Sequence, residues 1–227
     1  MRKYLLILTS MSLFLSEILL RINPTIGFLS YTLLISGCMI ALSKEEELDN
    51  YGKLIVALMI LPVIRIEELF IEFEFLWRSF IVYYILFFLV MFYSVKFRIN
   101  PGYTKEGLSF LPLVILIGIT LGLMGSLLFN FEEYAGLLFL LPVLVFSEEM
   151  LFRGMLQNLI GKEYSGFSAV FFTSLLYGIF SLGYGLPIAL FFFGISLVLS
   201  LIYHLTKNIF LTISLSFILH FLMLALA

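Results

Sequence analysis

Nine apolar runs, separated by short polar stretches, dictate what this chain can become: near 4–20, 25–43, 53–64, 79–95, 108–129, 136–160, 167–183, 186–204 and 208–226. A helix needs about 20 apolar residues to cross the hydrocarbon core of a bilayer at 1.5 Å per residue. Lipid offers no water to unpaired backbone groups, so spanning segments close their hydrogen bonds internally. The expected fold is therefore all-α, a polytopic transmembrane helix bundle of about eight to nine spans. The count turns on the third run, which is short and contains Pro62; a re-entrant segment there leaves eight crossings. The chain is 62% hydrophobic and 12% charged, with 26 Phe, which is the balance of a protein dissolved in lipid.

The remaining composition excludes partners. A net charge of −2 without a basic tract argues against nucleic acid. Cys38 is alone and cannot form an internal disulfide. The opening MRKYLLILTSMSLFLSEILLRI is basic and then apolar, but no small-residue cleavage site follows, so it reads as a retained first span. Nine spans with a cytoplasmic N-terminus put Arg2, Lys3, Lys44, Lys53, Lys96, Arg98, Lys105, Lys162 and Lys207 inside and only Arg21, Arg65 and Arg78 outside. That asymmetry sets the expected orientation, with an external C-terminus, in the plasma membrane.

Two connections stand out. RIEELFIEFEFLWR places Glu67, Glu68, Glu72 and Glu74 among aromatics between Arg65 and Trp77, and reads as an interfacial amphipathic segment, with an acidic docking surface as the alternative. KFRINPGYTKEG, residues 96–107, is the best internal boundary, because Asn100, Pro101 and Gly102 break structure. It divides lead-in helices, 1–100, from a core, 108–227.

Within that core, FSEEMLFRG sets two adjacent carboxylates and a guanidinium inside an apolar run, residues 136–160, with Glu148 and Glu149 at its midpoint. Each charge at the centre of a spanning helix costs about 2.5–3.5 kcal/mol, so three uncompensated ones cost about 8 kcal/mol. Such groups mark function, or an ion-pair cluster that fixes helix packing. At about 100° per residue, Glu149 and Arg153 share a face and can pair, whereas Glu148 points about a quarter turn away. Glu148 is the carboxylate left to take a proton. Glu45-Glu46-Glu47 and Glu132-Glu133 are also adjacent acids, but they lie in polar connections and cost little.

Elimination narrows the chemistry. The chain has two histidines, His204 and His220, one cysteine and no HExxH, so a zinc protease pattern is missing and no metal or cofactor is called for. There is no GxSxG, no Asp after Gly107, and no phosphate-binding glycine loop. Carboxylate chemistry in a membrane cavity remains.

Glu148-Glu149-Met-Leu-Phe-Arg153 is an EExxxR motif, and the chain from about 108 to 226 resembles the CAAX-protease and bacteriocin-processing family of intramembrane glutamyl endopeptidases, the type II CAAX prenyl endopeptidase group. The resemblance implies that Glu148 activates water for attack on a peptide carbonyl, with Glu149 and Arg153 in support. It implies a membrane-associated peptide or protein substrate met within the bilayer. The family's second motif, FxxxH, falls on Tyr177-Gly-Ile-Phe-Ser181, so Ser181 replaces a histidine that assists the water. The third, HxxxN or HxxxD, falls on Ser216-Phe-Ile-Leu-His220, so Ser216 stands for histidine and His220 for asparagine. A second string, His204-Leu-Thr-Lys-Asn208, matches HxxxN by letters but sits at a span end. Ser216 and His220 share a helix face, and a mid-span histidine is costly unless it meets a cavity or a neighbouring helix. Three functions stay open: an endopeptidase using Glu148, Glu149, Arg153 and His220 with Ser181 and Ser216; a lapsed member that binds a membrane partner without cutting; and a proton-coupled transporter, against which the absence of inverted repeats counts.

Overall fold

A computed structural model of the chain describes residues 4–43, 49–70, 75–102, 104, 106–129 and 137–226, and among them helices are the only regular elements. They are α1 (Leu5–Ile22), α2 (Pro24–Ser43), α3 (Asn50–Phe70), α4 (Phe75–Lys96) and α5 (Leu111–Leu128), the last entered through a 3₁₀ turn, Glu106–Phe110. Next comes α6, built of α-helical Leu141–Glu149, a π-helical stretch Met150–Gln157 and α-helical Asn158–Glu163. The chain ends with α7 (Gly166–Phe180, then a 3₁₀ turn Ser181–Tyr184), α8 (Leu186–Thr206) and α9 (Ile209–Ala225). Among the described residues, five stretches are long and apolar enough to cross a membrane: Pro24–Ser43, Trp77–Lys96, Leu108–Leu128, Gly166–Tyr184 and Leu186–Thr206; α9 is apolar but shorter. The molecule is an all-helical integral membrane protein.

Several sequence expectations shift. α3 runs unbroken through Pro62 for 21 residues, so the third run does not turn back on itself. Neighbouring helices in a membrane bundle re-satisfy the backbone group that a proline frees, which is why the helix survives. The stretch expected at an interface is instead divided: Arg65 to Phe70 complete α3, and Phe75 to Arg78 begin α4. Glu72 and Glu74 lie outside the described residues, as do Glu45, Glu46, Glu47, Glu132 and Glu133. The 136–160 run does not become one helix centred on the glutamates. Pro142 near the N-terminus of α6 fits a helix start, and the helix continues to Glu163, so Glu148 and Glu149 sit in its first half.

Small residues let the helices close in. A Cβ added at Gly122 of α5 would lie 2.9 Å from Leu222 Cβ and 3.1 Å from the Leu219 carbonyl on α9, and one at Gly118 would meet Ile218 at 3.2 Å. One at Gly178 of α7 would meet Phe193 of α8 at 2.9 Å. Backbone approach of this kind drives association where lipid removes the hydrophobic incentive. α6 is the axis of the bundle: every residue from Met150 to Gln157 is buried, and α6 packs on α3, α4, α7, α8 and α9.

At one end, where α4, α6 and α8 finish, the connection after α4 is tied across three helices. Asn158 Nδ2 donates to the Asn100 carbonyl (2.8 Å), Tyr203 Oη to the Pro101 carbonyl (2.7 Å) and Asn208 Nδ2 to the Thr104 carbonyl (2.8 Å). Gly102 adopts φ 81° with the Lys207 carbonyl where a Cβ would stand, so only glycine fits this crossing.

Candidate active site

Two faces of α6 separate the motif carboxylates. Glu149 Oε1 accepts from Arg153 Nη1 at 3.1 Å, and both side chains are fully buried. Arg153 Nη2 donates to Ser196 Oγ on α8 at 2.7 Å, and its guanidinium lies 5.1 Å from the centre of the Tyr177 ring. Glu149 faces the hydroxyl-bearing side of α9, near Thr212 and Ser216, and its Oε2 has no hydrogen-bond partner. One turn on, Gln157 Nε2 reaches the Ser200 carbonyl at 2.7 Å. The π-helical stretch underlies this row, because i→i+5 bonding widens the turn and changes where successive side chains aim; such turns recur at functional sites.

Glu148 turns to the other side and lines a cavity of about 60 Å³ together with Tyr83, Tyr177, Ser181, Tyr184 and His220. That volume holds a few waters. Tyr177 Oη donates to Glu148 Oε2 at 2.7 Å, while Tyr83 Oη stands 3.5 Å from Oε1. Tyr83 and Tyr184 are hydrogen-bonded neighbours. The first carboxylate thus has one oxygen firmly held by Tyr177 and the other loosely met by Tyr83, in the wall of the cavity. The rest of the cavity wall is apolar, including Leu144, Phe192 and Leu224.

The residues at the other motif positions meet this cavity unequally. His220 stacks on Phe192 at 5.6 Å and 14°, and its Nδ1 bonds the Ser216 carbonyl at 2.8 Å, one turn back on α9. With Nδ1 carrying the proton, Nε2 is the free nitrogen of a ring that lines the Glu148 cavity. Ser216 Oγ lies 3.3 Å from His220 Nδ1 and sits on the Glu149 side instead. Ser181 lines the cavity, but its hydroxyl donates to the Tyr177 carbonyl at 2.9 Å. His204 and Asn208 are remote: His204 packs by Phe167 and Gly166, and Asn208 caps α9 by accepting from Phe210 N at 3.0 Å.

The sequence reading missed the tyrosines. Tyr177 entered it only as the first letter of a motif, and Tyr83 and Tyr184 did not enter at all. Their signal was available: in a phenylalanine-rich chain a buried tyrosine needs a partner for its hydroxyl. It also missed a second buried cluster beside the site. Glu17 of α1 accepts from Tyr31 of α2 at 2.5 Å and from Arg65 Nε at 2.7 Å. Arg65 also donates to Glu68 at 2.5 Å and to the Phe180 carbonyl, and its guanidinium lies 4.6 Å from the Phe180 ring centre. Three lead-in helices are thereby fastened to the C-terminal end of α7, one residue before Ser181. No group of three His, Cys, Asp or Glu side chains suited to a metal ion occurs among the described residues.

Comparison with known proteins agrees with the motif. No curated protein and no solved structure matches the chain. Residues 130–224, which hold α6 to α8, nearly all of α9 and every side chain at the EExxxR, FxxxH and HxxxN/D positions, match the family model described as type II CAAX prenyl endopeptidase Rce1-like.

Proposed function

We propose that the chain is an intramembrane endopeptidase that hydrolyses a peptide bond of a membrane-associated substrate. The observation that carries the reading is the contrasting environment of the two glutamates: Glu149 held by Arg153, and Glu148 held firmly by Tyr177, loosely by Tyr83, and lining a water-sized cavity. In this role Glu148 Oε1 accepts a proton from water as the water oxygen bonds to the peptide carbonyl carbon, and the proton passes to the departing amine. Tyr83 and the Nε2 side of His220 line the space in which the carbonyl oxygen gains charge. Tyr83 can donate there; His220 orients the water. Arg153 holds α6 against α8 and Glu149 holds Arg153, and the pair so fixes the direction of Glu148. The bilayer supplies the substrate's surroundings, and the N-terminus is cytoplasmic by the distribution of lysines.

A second reading, a binding protein without turnover, is favoured by one observation. The hydroxyl that replaces the second-motif histidine is spent on the Tyr177 carbonyl, so Ser181 does not reach for a water. The two part on one experiment: purified protein in lipid is offered a panel of peptides, and products are read by mass spectrometry. The endopeptidase reading expects cleavage that Glu148→Gln abolishes. Binding of a peptide without cleavage by the wild type selects the second.

A further inference from the structure

A second and larger cavity, about 810 Å³, opens at the end of the bundle where α1, α3 and α7 finish and α4 begins. Its wall carries the charged side chains of Arg21, Arg65, Glu68 and Arg78 among apolar ones such as Leu20, Leu69 and Val82, and it shares Tyr83 and Tyr184 with the cavity of Glu148. These two tyrosines stand between the vestibule and the carboxylate, lining both cavities.

At the opposite end the connection after α4 is bonded to Asn158, Tyr203 and Asn208, and Pro101 packs over Gly154, where an added Cβ would meet it at 3.3 Å. Among the described residues, Arg153 and Gln157, both buried, lie between this tied connection and Glu148. The tied end is also the lysine end. Each described lysine is there: Lys53 at the start of α3, Lys96 at the end of α4, Lys162 in the last turn of α6 and Lys207 after α8. The vestibule end has only arginines, and Arg65 is neutralised between Glu17 and Glu68. Lysine and arginine next to membrane spans are retained in the cytoplasm, and here the bias runs against the vestibule.

We infer that the Glu148 cavity opens to the non-cytoplasmic side through the vestibule, and that its substrate is a peptide segment exposed on that side, not part of a cytoplasmic protein. The substrate half rests on the peptidase reading; the access half stands without it. A chain entering here places its polar part among the vestibule arginines and glutamate, and its apolar part past the two tyrosines, against Leu144, Phe192 and Leu224.

Thiol labelling reads the access directly. Cys38 is the single native cysteine, so Cys38→Ser gives a silent background. In it, Leu69→Cys and Arg21→Cys report the vestibule, Lys162→Cys the lysine end and Ser181→Cys the Glu148 cavity. A charged, membrane-impermeant maleimide on intact cells labels the two vestibule variants and not Lys162→Cys, which labels only in inverted vesicles. A small charged methanethiosulfonate reaches Ser181→Cys from the same side as Arg21→Cys. The inference is overturned if the vestibule variants label only in inverted vesicles, if Ser181→Cys is reached only from the lysine side, or if neither vestibule variant labels until the protein is denatured. None of these readouts needs hydrolysis, so absence of cleavage defeats the peptidase reading and leaves the side of access measured.

Discussion

Tyr177 donates its hydroxyl to Glu148 at 2.7 Å, four residues before Ser181, from a position where the resembled motif has phenylalanine. The polar group facing the first glutamate has in effect moved back one helical turn, from 181 to 177. A carboxylate is still hydrogen-bonded, now by a group that remains a proton donor and cannot serve as a base near neutral pH.

This exchange is testable in a peptide hydrolysis assay. Tyr177→Phe removes the donor and leaves the ring that packs on Phe152 and faces Arg153. A positioned acid–base partner contributes about 10² to 10⁴ in rate. On the peptidase proposal Tyr177 acts through its hydrogen bond to Glu148, so kcat should fall by about 10 to 10² with KM little changed. Equal turnover in the variant would remove Tyr177 from the mechanism.

The Glu149–Arg153 pair should behave as structure. Arg153→Met leaves a buried carboxylate alone and should cost about 3–5 kcal/mol of stability, as should Glu149→Gln to a lesser degree. Combining them should recover part of the loss, since the double variant leaves no unpaired charge. Thermal unfolding in detergent checks this; strictly additive losses would show that the two side chains do not depend on each other.

Close packing of α5 on α9 positions His220. Gly122→Leu places a branched side chain where even a Cβ meets Leu222 at 2.9 Å, so α9 must shift. Overpacking costs about 1–3 kcal/mol. The expected result is a lower unfolding temperature together with loss of any activity that depends on His220, whereas Gly37→Leu on α2, where nothing lies within 4 Å, should leave both unchanged.

Arg65→Lys should not be conservative. One planar guanidinium serves Glu17, Glu68 and the Phe180 carbonyl at once, and a single ammonium on a flexible stem cannot hold that fork. We expect a loss of about 1–3 kcal/mol, the cost of leaving buried polar groups unsatisfied. An unfolding temperature equal to wild type would show that the fork does not fasten α7.

Chelators should leave peptide cleavage intact. His204 and His220 lie on different helices, α8 and α9, with Cys38 on neither, a poor set for zinc. Abolition by 1,10-phenanthroline with recovery on added zinc would make the glutamates ligands.

Much of the fold was legible because a bilayer forces apolar length into helices, and the i, i+4 step from Glu149 to Arg153 named its own partner. The boundaries of α6 were not, since a run of apolar letters does not say where a proline such as Pro142 starts the helix or where the π-helical turn falls. Arg65 was misread for a different reason. Its neighbours Glu67 and Glu68 look like a solvated acidic face, but the residue that pairs with it most deeply is Glu17, 48 positions earlier, and no local pattern joins them. Tyr177 was hidden by resemblance itself: a motif that expects phenylalanine draws attention away from the one atom by which tyrosine differs.

The burial of Glu148, Glu149 and Arg153 in α6 also bears on how the protein is made. A helix carrying three ionisable groups would cost about 8 kcal/mol to place alone in lipid. Met150 to Gln157 have no face left for lipid to touch. The Glu149–Arg153 pair within α6 and Tyr83 on α4 offset part of that cost; the rest is offset when Ser196 on α8 and the hydroxyls of α7 and α9 receive those groups, and all of these are translated later. Membrane integration of α6 is thus coupled to the synthesis of the three helices that follow it, so a chain stopped before α8 should hold α6 at the translocon or leave it for quality control.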